Sequence, residues 1–225
     1  KHEIYGGGII ATVNHISSFV KKCALLTILG NNKSENKKII KFIDKKINKN
    51  FFYHKNLSNL VKTRYLDKGN NKKLFQTANW GASNIDKRTE QKILNYLKKN
   101  IKNFDHVIVH DFGHGLLTKK IINYLQSHSK FLSLNTQTNS TNIGYNYITK
   151  YSKADYISID EPEARLALQD NYSSINKLFY KLRKKVKFKL ASITWGNNGT
   201  QVFDEKKVHH APALSNKPID TRSWR

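Results

Sequence analysis

Between residues 86 and 195, short apolar runs alternate with stretches whose apolar side chains recur at helical spacing, and few folds accommodate that alternation. The runs are "HVIVHD" (106–111), "KFLSLN" (130–135), "ADYISID" (154–160) and "FKLASITWG" (188–196). The helical stretches carry Ile93, Leu94, Leu97 and Ile101, then Ile121, Ile122 and Leu125. A third helix starts near Pro162, and a fourth turns Ile175, Leu178, Phe179 and Leu182 inward. Strands apolar on both faces, separated by amphipathic helices, predict an α/β fold with a mostly parallel central sheet and helices on both sides. Such sheets hold ligands at the carboxyl ends of their strands, so functional residues are expected just after each run.

The flanking segments fit the same plan. "GGGIIATVNHISSFV" reads as a helix with Ile9, Val13, Ile16 and Val20 inward, and "CALLTILG" reads as a buried strand. Ser34 is expected to cap a lysine-rich helix whose inner face is Ile39, Ile40, Ile43 and Ile47. Residues 51–78 change character: "LVKTRYLD" and "KLFQTAN" around the turn "KGNN" predict a hairpin. A second hairpin is predicted in "GTQVFDEKKVHHAPA". No internal repeat, low-complexity linker or second-domain boundary stands out, and 225 residues make one domain or a large part of one.

The net charge is +24, from 40 Lys+Arg against 16 Asp+Glu, which raises nucleic acid or an anionic membrane as a partner. The excess is mostly lysine, scattered over every element and accompanied by abundant asparagine and isoleucine. That pattern reflects AT-rich codon usage better than a binding stripe, and no nucleic-acid reader motif is present. Cys23 is the only cysteine, so no disulfide forms within the chain, as suits a reducing cytoplasm. No apolar run approaches membrane-spanning length and no signal-peptide pattern appears, so a soluble cytoplasmic protein is expected. The chain begins at Lys1 and contains no methionine, which implies a missing or processed amino terminus.

Five stretches could carry chemistry. Gly6, Gly7 and Gly8 precede a helix, where backbone can approach a ligand closely; a flexible turn explains them equally well. In "HDFGHG", Asp111 falls at the sheet edge, with Gly113 and Gly115 permitting a tight turn. His106, His110 and His114 are spaced by four, but strand followed by glycine loop does not put them on one face, and a metal site is not expected there. In "IDEPEARL", Asp160 and Glu163 form a capping box, hold Mg²⁺ mainly through its waters, or do both. In "TWGNNG", Thr194, Gly196 and Gly199 offer a hydroxyl and backbone amides to phosphate oxygens, or simply turn a hairpin. Lys62 and Arg64 alternate on one strand face, positioned to grip an anionic substrate or to be two more surface cations.

The order of these motifs is more telling than any one of them. A GG helix start, a "KTR" hairpin, a "DxGxG" strand end, a "DxxE" strand end, a "TxGxxG" turn and then "PA…DT" resembles the PfkB sugar-kinase family, of ribokinase-like fold, over essentially the whole chain. "KTRY" and "DFGHGLL" are most similar to the kinase half of bifunctional ADP-heptose synthases. The resemblance implies a ribokinase-like three-layer sandwich truncated at both termini. Residues 1–225 would then be one incomplete kinase domain with a small β lid within about 51–78. It implies transfer of the γ-phosphoryl group of ATP, with Mg²⁺, to a sugar or sugar phosphate such as a heptose phosphate. It assigns Gly6, Gly7, Gly8, Lys62, Arg64 and Asp111 to the substrate, and Asn135, Thr194, Gly196 and Gly199 to the nucleotide. Asp160 and Glu163 fall to the metal. A homodimer through the lid and a fused nucleotidyltransferase domain in the full-length protein are further implications. Three departures bear on which sugar is used. Ile9-Ile10-Ala11 stands where an asparagine is common, His114 stands in a lysine's place, and "LNTQTN" stands where Asp-Pro is usual.

The family's "DTxGAGD" segment supplies a glycine-rich anion hole and the aspartate that acts as general base. Asp220 and Thr221 match it and Arg222 takes its free position, but Ser223, Trp224 and Arg225 stand where Gly, Ala and Gly belong, and the aspartate is expected just beyond Arg225. Losing one anion-hole donor costs on the order of 3–4 kcal/mol of transition-state stabilisation, and losing the base costs roughly 10²–10⁴ in rate. The chain as written is therefore expected to lack activity, with no catalytic base of its own. Binding without catalysis, of a sugar or a nucleotide, is the alternative reading, ahead of binding to nucleic acid.

Overall fold

The apolar runs become strands in a computed structural model of the chain, which describes residues 3–54, 56–70, 72–79, 84–138 and 142–214. The chain divides into two compact units, one built on residues up to Gln91 and one from Lys92 onward.

In the first unit, α1 (Gly8–Ser17) is followed by β1 (Ala24–Leu29), α2 (Lys33–Lys41) and β2 (Asn48–Tyr53). β1 and β2 pair in parallel from Ala24↔Asn48 to Leu29↔Tyr53. Their core is Ile10, Val13, Leu25, Ile43 and Ile47, with Ile39 and Phe51 against it. Four details differ from the sequence reading. α2 ends at Lys41, so Ile43 and Ile47 are buried beyond the helix and not on its inner face. α1 ends at Ser17 and buries Ile10, Val13 and Ser17, leaving Val20 exposed beyond it. Asn32, not Ser34, caps α2: its side chain accepts from the Ser34 and Glu35 amides, the reach an N-cap needs. β2 is absent from the sequence reading, because "NKNFFY" lacks alternation; pairing with β1 organises it.

The predicted hairpin is present as β3 (Lys62–Leu66) and β4 (Lys73–Ala78). Buried asparagines tie it to the end of β1. Asn59 Oδ1 accepts from the Gly30 amide at 2.9 Å, Asn59 Nδ2 donates to Asn36 Oδ1 at 2.8 Å, and Asn36 Nδ2 donates to the Gly30 carbonyl at 2.9 Å. Asn79, at the far end of β4, donates to the Asn59 carbonyl and accepts from the Val61 amide.

The second unit holds a six-stranded sheet of order β10-β9-β8-β7-β6-β5. β5 (Val107–Asp111), β6 (Leu132–Thr136), β7 (Tyr156–Asp160) and β8 (Leu190–Thr194) are parallel. β9 (Thr200–Phe203) and β10 (Val208–Ala211) add an antiparallel edge. The sheet is mixed, with its parallel part where the strand–helix alternation predicts it. α3 (Lys87–Asn100) leads into the unit, and α4 (Lys119–His128), α5 (Glu161–Leu168) and α6 (Ile175–Lys185) follow the strands. Ile157, Ile193, Leu178, Phe179, Leu182 and Phe203 are fully buried. Phe203 sits 5.7 Å from Phe179 and 6.0 Å from Phe188, centroid to centroid, with the Arg183 guanidinium 5.5 Å from its ring. Phe203→Ala should therefore destabilise this unit by about 3–5 kcal/mol in denaturant unfolding, by removing transfer free energy and leaving a cavity.

Candidate functional site

The parallel strands of the second unit end in register. Asp111 pairs with Thr136 and Asp160 with Thr194, while Asn135 lies opposite His110 one residue earlier. Asp111, Asn135, Asp160 and Thr194 thus share one edge of one sheet, the carboxyl edge at which open α/β sheets bind ligands.

Asp111 is 3 % exposed, and its carboxylate turns inward. Oδ2 accepts from the Tyr151 hydroxyl at 2.7 Å, Oδ1 accepts from the Gly113 amide at 2.9 Å, and Lys150 forms an ion pair with it. Burial, then the charge and hydrogen bond of Asp111, push the Tyr151 hydroxyl well above its ordinary range, so it stays a donor. The Asp111 carbonyl accepts from the Gln137 amide and from Asn146 Nδ2, and Asn142 Nδ2 donates to the Phe112 carbonyl. The loops after β5 and β6 are stitched together by these bonds. Sequence reading singled out Asp111 but missed Asn142, Asn146, Lys150 and Tyr151. The density of asparagine in "TNSTNIGYN" was the available signal.

Asn135 Nδ2 donates to the Ser158 carbonyl at 2.8 Å, bridging β6 to β7. Burial pushes the His110 imidazole down, partly offset by its hydrogen bond with Asn135. His110, Phe112 and His114 stack in series with centroids 6.2 and 6.1 Å apart, whereas His106 bonds Ser133 Oγ. Among the described residues no group of three or more His, Cys, Asp or Glu could hold a metal.

Asp160 and Glu163 form the capping box of α5. Asp160 Oδ1 accepts from the Glu163 amide at 2.7 Å, and Glu163 Oε2 accepts from the Asp160 amide at 2.9 Å. Glu163 Oε1 also accepts from the Thr138 amide at 2.9 Å, latching the β6 loop onto α5. Both Glu163 oxygens are thereby engaged by backbone amides, so Glu163 is not arranged as a direct Mg²⁺ ligand; a contact through water is what its arrangement leaves. Burial raises the Glu163 carboxyl to about 7, with its two amide bonds opposing and the Asp160 charge reinforcing.

In the turn after β8, Thr194 is exposed, and the Trp195 amide donates to the Gly199 carbonyl at 2.7 Å. Gly199 has φ +83°, and a Cβ there would lie 2.1 Å from the Ala211 carbonyl, so the hairpin itself demands glycine. Gly196 also has φ +52°, but open space surrounds it.

In the first unit, Gly7 is the N-cap of α1 and its carbonyl accepts from the Ile10 and Ala11 amides; Gly8 is the first helical residue. A Cβ on Gly6 would press on Ile10 at 2.9 Å, while one on Gly7 would meet nothing within 4 Å. Gly7 also has extended φ and ψ, so folding does not require glycine there. Lys62 and Arg64 share one half-buried face of the hairpin, as their spacing predicts. The segment from Ser215 to Arg225, including Asp220 and Thr221, lies outside the described residues, as does Lys1. Among the described residues no helix is long and apolar enough to cross a membrane.

Comparison with solved structures defines the class. The chain has the ribokinase-like fold: it superposes on phosphofructokinase-2 from Escherichia coli with a TM-score of 0.70 at 8% identity, covering 92% of this chain and 67% of that one. Ribokinase from Giardia lamblia gives 0.65 at 12% identity, over 86% and 59% of the two chains. Among curated proteins, the chain is similar to the bifunctional protein HldE of a Nitratiruptor species, 23% identical over 223 residues, 98% of this chain and 46% of the relative. The PfkB/ribokinase-like resemblance of the motifs is thus matched in fold and in sequence, although no family model matches. The chain spans about half the length of the curated relatives it matches.

The raised Glu163 carboxyl has a measurable consequence. In the unfolded chain it ionises near 4.5, whereas in the fold it holds its proton to about 7. The folded state binds more protons in that window, so this group makes stability fall as pH rises from about 4.5 to about 7. Thermal melts in metal-free buffer should show that slope. Glu163→Gln should flatten it at a cost of about 1 kcal/mol for the amide bond that Gln cannot accept.

Proposed function

We propose that this chain is the sugar-kinase domain of a longer protein, with both units belonging to it and β3–β4 as its lid. The reaction is transfer of the γ-phosphoryl group of ATP to a hydroxyl of a sugar or sugar phosphate, heptose phosphates included. The observation that carries the reading is the shared carboxyl edge of Asp111, Asn135, Asp160 and Thr194. Ligands of such sheets bind there, and fold and sequence relatives agree with a kinase.

In this reading Thr194 and the Gly196–Gly199 turn face the nucleotide phosphates, and Asn135 sits beside them. Gly6, Gly7 and Gly8 line the sugar, and the open space over Gly7 supports a ligand there. Asp111 acts as a positioning residue, because its oxygens are engaged by Tyr151, Lys150 and Gly113. Mg²⁺, when bound with ATP, would neutralise phosphate charge, meeting Asp160 and Glu163 through water. The exposed, stacked pair Tyr65 and Phe75 on one face of β3–β4 supports a homodimer through the lid. The relatives are named bifunctional, which supports a second domain in the longer protein, a nucleotidyltransferase.

Binding without transfer is a second reading, favoured by the commitment of both Glu163 oxygens to backbone amides. ADP release in the presence of ATP, Mg²⁺ and a panel of sugars and sugar phosphates separates the two. The kinase reading predicts sugar-dependent ADP from the longer protein. For the 225-residue chain, where Ser223, Trp224 and Arg225 occupy the glycine-rich place, it predicts nucleotide binding without turnover. A longer protein that binds nucleotide and sugar but never releases ADP would overturn it in favour of the second reading.

A further inference from the structure

The turn after β8 sets a reactive pair of residues side by side. Asn198-Gly199 is the one Asn-Gly step in a sequence rich in asparagine. The hairpin fixes the glycine: its φ is +83°, and a Cβ there would meet the Ala211 carbonyl at 2.1 Å. Asn198 is exposed, so its side-chain amide is open to water. A following residue without a side chain leaves its amide nitrogen unshielded, within reach of the Asn198 side-chain carbon. The Asn198 carbonyl accepts a hydrogen bond from His210 Nε2 at 2.8 Å. A carbonyl only accepts, so that nitrogen carries a hydrogen. When the Gly199 amide loses its proton, the charge of the anion rests largely on the Asn198 oxygen, where His210 donates. Two hydrogen bonds oppose reaction by holding the 3₁₀ turn Gly196–Asn198 shut. The Asn198 amide donates to the Trp195 carbonyl and the Gly199 amide to the Gly196 carbonyl, both at 3.0 Å.

We propose that Asn198 is a site of spontaneous modification, converting to aspartate and isoaspartate when the turn opens, with His210 assisting and bound nucleotide protecting. The Gly199 nitrogen gives its proton to solvent and bonds to Asn198 Cγ. The bond from Cγ to the side-chain nitrogen breaks, and that nitrogen leaves as ammonia. Water then opens the cyclic imide at one of its two carbonyls. One opening gives aspartate; the other gives isoaspartate, whose main chain runs through the former side chain and is longer by one atom. Either product puts a carboxylate into a turn read as facing nucleotide phosphates, so the consequence, unlike the chemistry, rests on the kinase reading. The longer main chain of isoaspartate also shifts Gly199 from its close seat on Ala211.

Peptide mapping by mass spectrometry of the 225-residue chain, stored at mildly alkaline pH with and without ATP and Mg²⁺, tests this. Conversion at Asn198 should outrun that at every other asparagine. ATP should slow it in step with occupancy, because a ligand that holds the turn closed makes its opening rarer. The converted chain should bind ATP about tenfold more weakly, and Asn198→Asp should show that loss when fresh. Asn198→Ser should keep its fresh affinity through the same storage. Per opening of the turn, read from hydrogen exchange of the Gly199 amide, His210→Phe should convert about tenfold more slowly. Conversion no faster than at other asparagines overturns the inference, and an equal rate per opening in His210→Phe overturns the part given to His210. Conversion that saturating ATP does not slow, or that leaves ATP affinity unchanged, overturns the link to the nucleotide. If the fresh chain binds no ATP, the kinase reading fails, while the modification of Asn198 is still decided by the peptide map.

Discussion

Burying a carboxylate costs free energy unless its oxygens find donors, and around Asp111 the loops are folded to supply them. Tyr151, Lys150 and the Gly113 amide meet the side chain, while Gln137 and Asn146 meet the carbonyl of the same residue. One residue at the end of β5 therefore sets the path of its own loop, of the loop after β6, and of the 3₁₀ turn at Ile148–Lys150. Removing one partner of such a buried pair costs more than the pair itself contributes, because the remaining charge stays buried. The rim of the second unit is organised from its interior.

Glu163 extends the same logic to β7. Its two oxygens hold the start of α5 and the Thr138 amide, so the start of the β6 loop is fastened twice, at Gln137 to Asp111 and at Thr138 to α5. Thr194 then stands on the neighbouring strand end, in register with Asp160. The polar groups of this rim fall into two kinds: those consumed in fixing the loops, such as Asp111 and Glu163, and those left toward solvent, such as Thr194. In the first unit the ring of Gly30, Asn36 and Asn59 has the corresponding role, anchoring the hairpin base through Asn79.

The strands of the second unit were legible because apolar runs bounded by turns have few other readings. The capping box of α5 was legible because Asp160 and Glu163 lie within one helical turn. β2 was not, since Asn48 to Tyr53 shows no alternation and owes its form to β1. The inward turn of Asp111 was not legible either: its partners Asn146 and Tyr151 lie 35 and 40 residues downstream, and only the folded chain brings them there. The β3–β4 hairpin was half legible. The spacing of Lys62 and Arg64 put them on one face, but nothing local said that this face would be the half-buried one.

Backbone amide NMR during an ATP titration tests most directly whether the rim organised by Asp111 receives the nucleotide. Chemical-shift changes should concentrate at Asn135, Thr194 and the Gly196–Gly199 turn, and should fade in Asp111→Asn. Shifts confined to the lysine-rich outer surface of α6, with the rim amides unmoved, would contradict it.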